Sequence, residues 1–300
     1  MSDKIFKNIC FSGAFLILAV MIVIVVCLSW SSSEAWKTLG VGFLFESDWN
    51  PSQGTYGALP AILGTLLTTG LAITLAVPLS FATAFFLFHA PDWVRRPVSQ
   101  GLDLLAAIPS VIYGMWGLFV LAPLMQHHVQ PFLRDTLGLR HIPFLGQDLN
   151  GFGFFTAGIV LTLMILPYIS AVMRDVFQMT PRLLNEAAFG IGCTRWETAR
   201  DIVLRYGLRG FLGGVFIGLG RALGETMAVL FIIGNVVRMP TGIFDNGTTI
   251  AATLANHFAE ADGMTRSVLF ALGLVLLALA FGVQILAQYY LSASARRRGE

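Results

Sequence analysis

Apolar residues run along this chain in six long blocks, near 11–30, 57–88, 101–123, 152–174, 208–236 and 267–291, with polar residues gathered between them. Each block reaches the roughly 20 residues needed to cross a hydrocarbon layer about 30 Å thick. The pattern predicts six transmembrane helices in a single all-α polytopic membrane domain over residues 1–300, with no soluble module long enough to fold alone. The second and fifth blocks are longer than a span requires, so each is expected to tilt, bend or extend beyond the bilayer. Pro78, Pro109 and Pro167 mark the expected bends. Composition strengthens this reading, because 56% of residues are hydrophobic and only 12% charged, against roughly 25% charged in an average soluble domain.

The sign of the charges between the blocks orients the chain. With the N-terminus in the cytoplasm, Lys4, Lys7, Arg95, Arg96, Arg174, Arg182, Arg195, Arg200, Arg205, Arg209, Arg296, Arg297 and Arg298 lie inside. Only Lys37, Arg134, Arg140, Arg238 and Arg266 then lie outside, so both termini are expected to be cytoplasmic. The first block follows Lys4 and Lys7 but is long for a signal peptide and no A-x-A site follows it, which predicts an uncleaved anchor. Cys10, Cys27 and Cys193 are too scattered for a disulfide framework or a metal site. His127, His128 and His141 share one outer loop without an acidic partner at ligand spacing, and are expected to be solvated loop residues. No metal, cofactor or nucleic-acid partner is expected.

Among the polar stretches, the cytoplasmic one near 175–207 carries its own helical signals. Thr180-Pro181 reads as a cap followed by proline in the first turn, and Leu183, Leu184, Ala187 and Ala188 give an apolar side. Gly190 and Gly192 interrupt the pattern, and Thr194 precedes Glu197 at capping-box spacing. A helix–turn–helix hairpin follows, either lying on the membrane surface or docking a soluble partner; spacing alone leaves both open. Glu186-Ala187-Ala188, Gly192, Ile202 and Leu204 resemble the EAA loop of ABC importer permeases, E-A-A-x3-G-x9-I-x-L-P, with Arg205 where that motif ends in proline. The resemblance implies a coupling loop over 180–205 whose short helix seats in a cleft on an ATP-binding cassette subunit.

Further stretches extend the likeness. "GLGRALGETMAVLFIIGN", "YGALPAILGTL" and "LAAIPSVIYGMWGL" resemble the membrane permeases of phosphate-specific ABC importers, of the C-subunit type; in the A-type sister a proline usually follows the G-E-T triplet, where this chain has Met227-Ala228. From about residue 40 onward, the resemblance implies a type I (MetI-like) importer permease fold. It also implies a second permease subunit of the A type, ATP-binding subunits, a periplasmic phosphate-binding protein and an inner-membrane location.

The fifth block contains the one opposed charge pair set inside an apolar run, Arg221 and Glu225. On a continuous helix, Gly210, Gly214, Gly218, Arg221, Glu225 and Ala228 fall within about 40° of one line. Such a stripe of small residues admits a close helix neighbour or leaves room for a solute, and one helix can serve both uses. Arg221 would lie about 20 Å along the helix from Leu208, in the middle third of the bilayer, where a charge costs about 2.5–3.5 kcal/mol on insertion scales. Two readings follow. In one, Arg221 and Glu225 neutralise each other at i and i+4; in the other they face a solute. Arg before Glu is the less favourable order for such a pair, and two leucines would remove the cost, which favours the solute-facing reading. A guanidinium supplies planar, bidentate donors for an oxyanion that has shed its water. The expected pathway residues are therefore Arg221, Glu225, Gly218 and Gly214; the resemblance also implies a pathway between two permease subunits lined by charged residues of this region.

No G-x4-G-K-[ST] loop occurs, so ATP is expected to be handled by a separate chain, and the absence of H-E-x-x-H and G-x-S-x-G leaves intramembrane hydrolysis without support. An importer permease is expected over a self-contained anion channel or carrier, because only the importer needs the docking hairpin. A sulfate or molybdate permease would share that hairpin; the "GRALGETMAV" likeness is what points to phosphate. The outer loops are acidic on balance, with Glu34, Glu46, Asp48, Asp135, Asp148, Asp245, Glu260 and Asp262 against the five outer basic residues. They would not gather a free anion.

Overall fold

The computed structural model describes residues 2–136 and 150–297. Arg140, His141 and Asp148 of the expected outer loop, and Arg298, lie outside the described residues. Four helices are each long and apolar enough to span a membrane unaided: α1 (Ser2–Ser31), α3 (Leu59–His89), α6 (Phe154–Met179) and α12 (Gly263–Arg297). Two further spans are helix pairs bent at a break, so the count reaches six only if each pair is one span. Between α1 and α3, the short α2 (Ser33–Leu39) is followed by an antiparallel hairpin of two-residue strands, β1 (Trp49–Asn50) and β2 (Thr55–Tyr56), in which Trp49 pairs with Tyr56. Among the described residues this is the one sheet; an isolated bridge between Gly234 and Gly247 lies in the irregular segment after Leu230.

The third apolar block, expected as one helix over 101–123 with a bend at Pro109, is divided at that proline. Helix α4 (Asp92–Ala107) ends at Ile108-Pro109, and the helical run α5 (Ser110–Asp135) leaves at 97° to it. Proline has no amide hydrogen and holds the preceding residue extended, and Ile108 has ψ 127°. By contrast, Pro78 and Pro167 sit inside continuous helices. The fifth block is divided as well. Helix α9 stops at Leu223 after 16 residues (Leu208–Leu223), about 24 Å and short of a full crossing. One turn resumes as α10 (Met227–Leu230), and the chain then runs irregularly to α11 (Ile250–His257).

Non-helical backbone survives at membrane depth only where protein satisfies it. Here the irregular segment does so against the start of α6: Gly153 and Phe155 donate to the carbonyls of Ile232 and Ile243 at 3.0 and 2.7 Å, and Gly247 donates to Ile233 at 3.0 Å. The buried Asp245 carboxylate accepts from the Thr241 hydroxyl and from the amides of Thr241 and Gly242, tying off the loop.

Helix α6 is the centre of the main core, packed on α3 and α9. Ile165, Ile169, Met164 and Leu161 are fully enclosed, and the Thr162 hydroxyl donates to Gly158 of its own helix at 2.8 Å and to Ala72 of α3 at 3.3 Å. A second, smaller core at the other end gathers Ala35, Phe43, Tyr56, Ile250, Val268 and Leu272. Ser267 fastens it, accepting from the Ala35 amide and donating to the Ser31 carbonyl.

Candidate functional site

Arg221 occupies the last turn of α9, where Gly224 ends the helix. Its guanidinium carbon lies 4.5 Å from the centre of the Tyr168 ring on α6, a cation–π contact. The Tyr168 hydroxyl donates to the Ala106 carbonyl at 2.8 Å, and Tyr113 of α5 donates to the Leu105 carbonyl at 2.9 Å. Both carbonyls belong to the last turn of α4, where helix ends leave backbone acceptors open; Leu105 also accepts from the Ile108 amide at 3.3 Å. The broken end of α9, the middle of α6 and the α4–α5 bend therefore meet around one arginine.

The i, i+4 pairing of Arg221 with Glu225, the less favoured of the two readings, does not form. Because α9 ends at Leu223, Glu225 lies beyond it, and its Oε1 accepts from the Ala228 amide at 3.2 Å, closing the start of α10. Arg221 has no carboxylate partner among the described residues, and its side is exposed. The glycine stripe is also reassigned. A β-carbon on Gly214 would stand 2.9 Å from Val172 Cβ, and one on Gly218 would stand 2.8 Å from Ile169 Cγ1. Of the two uses open to the stripe, Gly214 and Gly218 serve the close approach of α9 to α6, and the open side begins one turn later at Arg221. The opposite side of α9 meets α12, where Gln284 donates to the Phe216 carbonyl at 3.4 Å.

At the other end of α6 the hairpin forms as two helices, α7 (Arg182–Gly190) and α8 (Arg195–Tyr206). Thr180 does not cap α7 as expected. Its hydroxyl turns back to the Val176 carbonyl at 3.1 Å, closing α6, and Pro181 takes the cap position. Gly192 has φ +93° and carries the turn, a conformation glycine adopts without a Cβ clash. Thr194 and Glu197 form the expected reciprocal capping box. The Glu197 carboxyl is held below its ordinary range first by the Thr194 amide and then by the Thr194 hydroxyl.

Of the motif residues, Ala188 is buried, Ile202 and Leu204 are half-buried, and Glu186, Ala187 and Gly192 face outward. Arg205, at the motif's proline position, continues α8, and the chain bends by 82° into α9 after Tyr206. Leu183 and Ile191 project with 75% and 83% exposure, an apolar tip that none of the described elements covers. A cleft of about 340 Å³ lies between the hairpin and the ends of α3 and α6, lined by Phe88, Phe177, Glu186 and Phe189 among others.

Tyr168 and Tyr113 are the residues that sequence reasoning missed. The available signal was two hydroxyl-bearing aromatics inside apolar blocks, one of them four residues after Pro109. His127 and His128 lie exposed on α5, and no group of three metal-ligating side chains occurs among the described residues.

The family described as "Binding-protein-dependent transport system inner membrane component" matches residues 76–296. The phosphate transport system permease protein PstC of Haemophilus influenzae is 45% identical over 99% of this chain and 96% of its own length. The protein of the same name from Pasteurella multocida is 49% identical over 87% of this chain and 82% of its own. Among solved structures, a chain of a bacterial alginate ABC transporter shares the fold with a TM-score of 0.66 at 17% identity, covering 96% of this chain and 94% of that one. The MetNI methionine ABC transporter gives a TM-score of 0.55 over 78% of this chain and 94% of that one. The two permease relatives match over most of their length and the family match spans most of the helices, so this chain belongs to the family of binding-protein-dependent transport system inner membrane components.

Proposed function

We propose that this chain is the permease subunit of an ATP-driven importer that carries inorganic phosphate across the inner membrane. The observation that carries the reading is Arg221: an exposed guanidinium without a carboxylate partner among the described residues, at the broken end of a membrane helix, in a chain nearly half identical to phosphate transport permeases over most of its length. Phosphate entering the gap would meet planar donors already oriented by the Tyr168 ring. Glu225, one short loop away, supplies the opposing charge that keeps the anion from being trapped, since passage requires release as well as binding.

The exposed apolar tip of the α7–α8 hairpin supports docking on ATP-binding cassette subunits, with the hairpin and both termini in the cytoplasm. ATP hydrolysis belongs to those subunits. The acidic balance of the opposite loops supports delivery by a periplasmic phosphate-binding protein, and the exposed side at Arg221 supports a second permease subunit of the A type across the pathway.

Uptake into proteoliposomes holding the assembled complex tests the reading. Phosphate uptake should require ATP and the binding protein, and should resist excess sulfate or molybdate. Uptake carried equally by those oxyanions, or by the permease alone, would refute it. Gly192→Val should uncouple ATP hydrolysis from uptake, because the turn needs positive φ; intact coupling and assembly would remove the docking role.

A further inference from the structure

Beside the hairpin cleft, and separated from it by Phe88, a second cleft of about 620 Å³ opens between α4 and the ends of α3 and α6. Three guanidinium groups line it: Arg95 and Arg96 near the start of α4 and Arg174 near the end of α6. Ser99, Gln100 and Gln178 add neutral hydrogen-bonding groups, and Asp175 is the one carboxylate among the described lining residues. Arg95 is paired within its own helix to Asp92. Neither Arg96 nor Arg174 has a carboxylate partner among the described residues. The lining therefore has an excess of positive charge set against the apolar Leu87 and Phe88.

The attitude of α4 says what kind of molecule reaches this cleft. It meets the run Ser110–Asp135 at 97°; its start, with Arg95 and Arg96, stands beside Arg174 near the end of α6, and its last turn reaches Tyr168 in the middle of α6, so α4 leads inward from the membrane surface. It buries none of its residues fully. Val94, Val98 and Leu102 turn partly toward the protein, while Trp93 and Leu104 remain 79% and 69% exposed. An exposed tryptophan at the start of an amphipathic helix, beside the end of a membrane span, is suited to headgroup depth. The depth that places Trp93 among headgroups also places Arg95 and Arg96 beside lipid phosphates, and basic pockets between membrane helices fit such groups.

We infer that the Arg95–Arg96–Arg174 cleft binds the phosphate group of an anionic phospholipid, whose acyl chains stay in the bilayer beside α3. The forked guanidinium groups of Arg96 and Arg174 take the phosphate oxygens, and the polar side chains of Ser99, Gln100 and Gln178 receive the rest of the headgroup. This assignment does not depend on which solute the protein carries.

Native mass spectrometry of the purified complex, with phosphatidylglycerol or phosphatidylcholine added, tests it. The native complex should retain phosphatidylglycerol selectively, and Arg96→Gln/Arg174→Gln should weaken that retention by about tenfold while leaving phosphatidylcholine unaffected. Arg96→Lys/Arg174→Lys keeps the charge without the fork and should fall between. Equal retention in all three proteins would overturn the inference, as would equal loss of both lipids in the Gln variant. Millimolar inorganic phosphate should leave the lipid in place, because a free anion has no acyl chains to anchor it. Displacement of the lipid by phosphate would make the cleft a site for the free anion instead, and the lipid assignment would fall.

Discussion

Arg221 and Arg200 each sit on a helix of this chain, in opposite circumstances. Arg200, in the hairpin, forms a fork-to-fork pair with its neighbour Asp201, Nε to Oδ1 and a terminal nitrogen to Oδ2, both at 3.0 Å, and both groups are largely exposed. The hydrogen bond to Asp201 raises the Arg200 pKa, and the Arg200 hydrogen bond lowers that of Asp201. Arg221 faces an aromatic ring and, among the described residues, no carboxylate. A ring orients a cation without cancelling its charge, whereas a carboxylate cancels it. Arg200 is thus spent within the hairpin, while the field of Arg221 remains directed outward for an incoming anion.

The largest break of this contrast is removal of Arg221. Arg221→Ala should lower ATP-dependent phosphate uptake by about a hundredfold or more while complex assembly persists, since losing a membrane-depth charge eases insertion. Arg221→Lys should fall between. Glu225→Gln should slow uptake through poor release. If Arg221→Leu/Glu225→Leu transported normally in the uptake assay, the solute-facing role would be lost.

A smaller effect is expected at the ring. Tyr168→Leu removes the cation–π contact, of order 1 kcal/mol, and should cost about fivefold in uptake. Tyr168→Phe keeps the ring but leaves the Ala106 carbonyl short of its donor, so its loss should appear as faster amide exchange around the α4–α5 bend.

Smaller again is the hairpin cap. Thr194→Val should cost about 1 kcal/mol of local helix stability, read as faster amide exchange at the start of α8. The depressed Glu197 pKa fixes the sign with pH. The cap's contribution is complete above the ordinary glutamate range and fades as pH falls through the depressed folded-state value. The same amides should therefore loosen on acidification in the native protein and change less in the variant. The smallest effect is expected from Arg200→Ala, which should leave uptake and thermal stability unchanged, because an exposed adjacent pair contributes little. A loss comparable to that of Arg221→Ala would erase the distinction between the two arginines.

Much of this was legible along the chain. The Thr194–Glu197 box appeared at its spacing because capping is local, and the hairpin appeared because glycine interrupts a helical pattern between two helix-start signals. Arg221 and Glu225 stood out because charge inside an apolar block is costly. Their partners were not legible. Tyr168 is far from Arg221 in sequence, and whether Gly218 faces a solute or Ile169 depends on where α6 lies. Hydropathy could not separate α1 from α6 either: in α1 none of the most apolar window is buried within this chain, while in α6 61% is.

By itself, the sequence determined the apolar spans, the helical hairpin with its cap and the position of the misplaced charges, since each arises from residues within a few turns of one another. Tertiary structure alone decided where the helix of the fifth block stops. The apolar pattern of the fifth block continues to residue 236, yet α9 ends at Leu223 because the backbone beyond it finds partners at the start of α6 that a straight helix would not reach. That early stop separated Glu225 from Arg221 and set the guanidinium over Tyr168. The energy that fixed it is satisfaction of backbone groups by a distant segment, which no local pattern of hydrophobic and polar residues encodes.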